Sequence, residues 1–169
     1  MTGYNPQGWG DLFLASAGAT AALSGLIFVG LSVNIKTVLE IDQRVGSNFL
    51  TGRAIEALTA LLDVLGISLV ALTPTIAPGV LAGFIALVAM TSAISPAFAI
   101  RASLVQGTMT AATVIRVLIA LALTAALALA AVTLAAGYGG GLSWLPVAFV
   151  LAVLVAAINA WVLLVEVLR

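Results

Sequence analysis

Five uninterrupted apolar runs leave this chain few folds to choose from. They cover residues 11–35, 50–72, 78–100, 111–136 and 142–168, and none is shorter than 23 residues. A bilayer's hydrocarbon core is about 30 Å thick and takes roughly 20 residues of helix to cross. In lipid every backbone N–H and C=O must be satisfied internally, so only helices and closed barrels can span. Barrel strands alternate in polarity over about ten residues, and these runs do not. The expectation is an all-α integral membrane bundle, one domain over residues 1–169 with five transmembrane helices. Composition agrees: with 63% hydrophobic and 7% charged residues, the chain has too little charge to cover a soluble surface.

The polar segments set the expected topology. The six basic residues are Lys36, Arg44, Arg53, Arg101, Arg116 and Arg169, and all fall at one end of the expected helices. The positive-inside rule assigns that end to the cytoplasm, with the N-terminus outside and the C-terminus inside. Trp9, Tyr138 and Trp144 map to the opposite interface, where amphipathic rings prefer to sit. Trp161 lies deeper, and its N–H there calls for a partner or a water. The N-terminal stretch lacks the positive region of a signal peptide, so the first run is read as a retained span. One lysine against five arginines, with abundant Ala, Val, Leu and Gly, suggests a GC-rich bacterial genome. The expected location is the bacterial inner membrane, with the lipid bilayer as the chain's first partner.

Several function classes are excluded by what is missing. Without cysteine or histidine, the chain has no disulfide, thiol nucleophile, imidazole shuttle or zinc site of the usual kind. Zero net charge gives no basic surface for nucleic acid. One deep carboxylate leaves hydrolysis and redox chemistry without parts, and intramembrane aspartyl proteolysis would need a second. No enzyme, cofactor or metal is expected. Gly137-Tyr138-Gly139 shares its tripeptide with potassium filters, but the preceding Thr-Val and a re-entrant pore helix are missing. It is read as a glycine linker.

The residue that calls for an explanation is Asp63, near the middle of the second span. A carboxylate at that depth costs on the order of 3 kcal/mol even on mild insertion scales, unless it is paired, hydrated or protonated. At 100° per residue, Gly52, Glu56, Thr59, Asp63, Gly66 and Thr73 share one face. That face is either a hydrogen-bonded seam between helices or the lining of an ion or proton path. Asn159 in the fifth span lies at a similar depth and could donate its amide to Asp63. Glu166 shares Asn159's face near the basic end, as Glu56 shares that of Asp63. Arg116 could snorkel to the surface, pair with Glu56 or Glu166, or reach Asp63 itself.

Elsewhere the readings are structural. The first helix is rich in small residues, with small-xxx-small spacing at Gly18/Ala22 and Ala21/Gly25, and is read as a packing helix. Pro96 removes a backbone donor near the inner end of the third span and predicts a kink, with Ser92 and Ser95 available to satisfy freed groups. Residues 36–49 read as a cytoplasmic extension of the first helix, broken at Gly46-Ser47-Asn48. Either water or a membrane-protein partner covers that extension.

The run from Ser16 to Ile35, SAGATAALSGLIFVGLSVNI, resembles the first span of a group of small, uncharacterised bacterial membrane proteins. The resemblance implies a multi-span fold and no particular activity. Taken together, the sequence predicts a small homo-oligomeric channel or ion/proton-conducting protein. Asp63, Glu56, Thr59 and Asn159 would line or support its path, Arg116 and Glu166 would be possible charge partners, and Gly66 and Pro96 packing or hinge positions. The alternative is a non-catalytic accessory subunit or scaffold of a larger membrane complex.

Overall fold

A computed structural model describes residues 6–45, 49–106, 111–137 and 140–167. Among them there is no strand, and six α-helices follow in order. They are α1 (Gly10–Val45), α2 (Phe49–Ala71), α3 (Pro78–Ser92), α4 (Ile94–Gln106), α5 (Ala111–Ala135) and α6 (Leu145–Val167). Short 3-10 turns precede α1 and α6. α3 and α4 act as one span, Pro78–Arg101, so five helical segments are long and apolar enough to cross a membrane.

α1 is 36 residues long, about 54 Å at helical rise, well beyond what a bilayer core requires. Its last turns carry the exposed Glu40–Arg44 pair, 3.7 Å apart, of the kind that adds little stability. Asp42, on the extension read as covered by water or by a partner, is buried within the chain itself. Its carboxylate accepts the N–H groups of Leu50 (2.8 Å) and Thr51 (3.0 Å) and the Thr51 hydroxyl (2.7 Å). These are orphan donors of the first turn of α2, so the end of α1 caps its successor and fixes the hairpin.

The third span is interrupted at a single residue. α3 ends at Ser92 and α4 begins at Ile94, with Ala93 between them. Pro96 has no N–H to offer the Ser92 carbonyl, and its ring crowds that turn. Ser92 Oγ donates to the Ala89 carbonyl, but Ser95 Oγ does not serve the backbone; it reaches Glu56 on α2.

α2, α6, α5 and α3 form a ring, α2 packing on α6, α6 on α5 and α5 on α3. α2 meets α3 over a shorter stretch, and α1 lies outside the ring along α2. Apolar side chains fill the centre, among them Val64, Ile85, Leu123, Leu127, Phe149 and Val155. Gly141, entering α6, lies so close to α5 that an added Cβ would sit 2.7 Å from the Leu134 Cα. Only glycine fits there without movement.

α1 packs differently from the sequence reading. Phe13, Ala17, Thr20 and Val38 are buried, while Gly18 and Gly25 lie on a face with nothing within 4 Å of a built Cβ. The small-residue face is therefore not used inside this chain. Trp144 and Trp161 are both exposed on the bundle surface, Trp161 by 67%, whereas Tyr138, Arg169 and Gly46–Asn48 fall outside the described residues.

Candidate functional site

The site grows from one face of α2. Gly52, Glu56, Thr59 and Asp63 follow at helical spacing, and all four line a pocket of about 340 Å³. The facing wall comes from both sides of the Ala93 break, with Thr91 and Ser92 from α3 and Ile94 and Ser95 from α4. Ala120, Leu123 and Val155 close the back against the apolar core. This wall carries hydroxyls from both helices of the third span.

At the basic end the pocket is spanned by a polar bridge. Ser95 Oγ donates to Glu56 Oε1 at 2.9 Å, and Arg116 Nη2 stands 3.5 Å from Glu56 Oε2. The side chains of Arg116 and Glu56 are 23% and 10% exposed, so water screens the pair little. Of the roles weighed for Arg116, the structure places it with Glu56. At the other end, one turn beyond Asp63, Gly66 faces the Phe84 ring, where a Cβ would stand 3.4 Å away. Ile55, Thr59, Thr91 and Ile94 are exposed, so the mouth opens on the flank of the bundle between α2 and the α3–α4 span.

Asp63 itself is partly buried and, among the described residues, has no hydrogen-bond or ion-pair partner. Asn159 does not reach it. Its Oδ1 accepts from Arg53 Nη1 at 2.9 Å, and the Arg53 guanidinium also stacks 5.1 Å from the Phe49 ring centroid. Asn159 Nδ2 and Arg53 Nε are buried without a partner. Equal depth along two helices does not fix their rotation, and here Asn159 meets Arg53 of α2. Thr59 lines the pocket, whereas Gly66, packed against Phe84, and Pro96 lie outside its lining. Thr73 lies past the end of α2 in the turn, away from the pocket. Glu166 falls in the last turn of α6, and its side chain is outside the described residues.

Sequence reasoning missed Arg53, Ser95 and Thr91 as members of these networks. Arg53 was assigned only to the loop's positive charge, and Ser95 only to its own helix. Among the described residues no group of three or more acidic side chains could hold a metal ion.

Among the described residues, the fold and site define a class: an all-helical bundle with five membrane-length helices, as in a multi-pass membrane protein, with a largely apolar pocket that Asp63 and Glu56 line. Compared with known protein families, curated proteins and solved structures, the chain matches none.

Proposed function

We propose that this chain is a small oligomeric ion- or proton-conducting membrane protein whose path follows the polar face of α2, with Asp63 as its midpoint site. The observation that carries the reading is the contrast among the charges of α2. Arg53 and Glu56 each take a partner from another helix, while Asp63 faces open space. A seam built only for packing would give such a carboxylate a donor. A carboxylate kept for exchange with water, a cation or a proton is left without one.

The apolar core leaves no polar passage through the middle of the ring, so the path belongs at a boundary between copies. A second chain set against the flank would close the mouth at Ile55 and Ile94 and turn an open pocket into an enclosed one. The free small-residue face of α1 offers a further surface for close helix packing between copies. With Glu56 neutralised by Arg116, Asp63 supplies the fixed charge, and the path favours cations. The basic end faces the cytoplasm of a bacterial cell by the positive-inside rule.

The same lateral mouth supports a second reading, an accessory subunit whose Asp63 receives a donor from another membrane protein. Flux separates the two. Proteoliposomes holding wild type should pass protons or monovalent cations, and Asp63→Asn at equal oligomeric state should not. No flux above empty liposomes across voltage and pH would move the assignment to the accessory subunit.

A further inference from the structure

The geometry points to a protonated organic amine with a compact apolar body as the cation this pocket takes. The inference rests on the proposed role of Asp63 as the charge-bearing site of the conduction path and names the class of cation that fits it.

The size of the pocket, about 340 Å³, falls in the range of small-molecule sites, roughly 300–1,000 Å³. Its wall chemistry is uneven. Ile55, Ile94, Leu123 and Val155 give it an aliphatic surface, and Asp63 is its one carboxylate left without a counter-charge. A dehydrated divalent metal ion asks for about six or more oxygen ligands, carboxylates among them. Glu56 cannot contribute freely, because Ser95 and Arg116 already hold its two oxygens. An amine with an apolar body matches both parts of the lining at once.

The hydroxyls narrow the choice further. Thr91 Oγ1 donates to the Val88 carbonyl at 2.9 Å and Ser92 Oγ to the Ala89 carbonyl at 3.1 Å. Their protons are committed to their own helix, and their oxygens remain as acceptors beside the pocket. Acceptors in the same pocket as a carboxylate suit an ammonium carrying N–H groups, whose charge-assisted bonds are the strong ones. A quaternary ammonium has no N–H, and no aromatic ring lines this pocket to hold it by cation–π attraction. Primary amines should therefore bind better than quaternary ones of similar shape.

The test is calorimetric titration of wild type in lipid nanodiscs with benzylamine, benzyltrimethylammonium and benzyl alcohol, beside Asp63→Asn and Asp63→Glu. Benzylamine should bind saturably to wild type and Asp63→Glu, and about tenfold or more weakly to Asp63→Asn. Benzyl alcohol should show only unsaturated partitioning into lipid. Because the amine–alcohol comparison uses wild type alone, it stands even if Asp63→Asn misfolds. Benzylamine that binds no better than the alcohol, or no better than benzyltrimethylammonium, overturns the inference. Asp63-dependent potassium or proton flux without saturable amine binding overturns it too, and leaves the conduction reading standing. Saturable, Asp63-dependent amine binding in a protein that passes no ion keeps the pocket assignment and overturns conduction.

Discussion

At the scale of single residues, the molecule treats its buried charges unequally, and the inequality makes a prediction. Glu56 accepts from Ser95 and faces Arg116 largely out of water, so removing either charge strands the other. Breaking a buried pair from one side costs about 3 kcal/mol, while replacing both members is often close to neutral. Arg116→Met alone should therefore destabilise by about that amount, and Glu56→Gln added to it should recover most of the loss. Reversible unfolding in mixed detergent micelles measures both. A single-variant cost under about 1 kcal/mol would mean that the pair is hydrated like a surface pair. How the charges sort into pairs was only partly legible in the sequence. Depth along each helix follows from counting residues, and it put Glu56 level with Arg116. Rotation about each axis does not follow from counting, which is why Asn159 faces Arg53 and not Asp63.

The elements are joined by contacts that local sequence barely signals. Helical periodicity gave the five spans and the polar face of α2, because both are properties of one helix at a time. The Asp42 cap is a property of two. Its carboxylate looks like any charge on a solvated helix end until α2 folds back and offers Leu50 and Thr51 as donors. Asp42→Ala should cost about 1 to 2 kcal/mol and speed amide exchange at Leu50 and Thr51 while leaving α3 to α6 protected. Unchanged exchange at those two amides would show that the cap does not hold the hairpin. Gly141 is a second such joint. Gly141→Ala places a methyl group against the Leu134 backbone, which cannot swing aside as a side-chain tip would. A loss of about 1 to 3 kcal/mol is expected, with the α5–α6 turn opening first. Gly18→Ala and Gly25→Ala meet nothing within the chain and should leave monomer stability unchanged.

The whole molecule has a polarity that decides how its pocket works. Lys36, Arg44, Arg53, Arg101 and Arg116 gather at one end of the bundle, and the turns at 72–77 and 136–137 lie at the other. If the basic end is cytoplasmic, the Ser95–Glu56–Arg116 bridge lies on the inner side of Asp63. On the proposed conduction reading, a cation leaving Asp63 toward the basic end would meet Arg116, and one leaving the other way would not. Under that proposal the direction of easy passage depends on topology, and the cysteine-free sequence makes topology simple to measure. Gln43→Cys places a thiol at the exposed end of α1, and Ala77→Cys places one in the exposed turn before α3. In intact cells a membrane-impermeant maleimide should label Ala77→Cys and spare Gln43→Cys, which should react only after permeabilisation. The opposite pattern would invert the bundle, put the Arg116 barrier at the outer mouth and predict preferential release of cations into the cell.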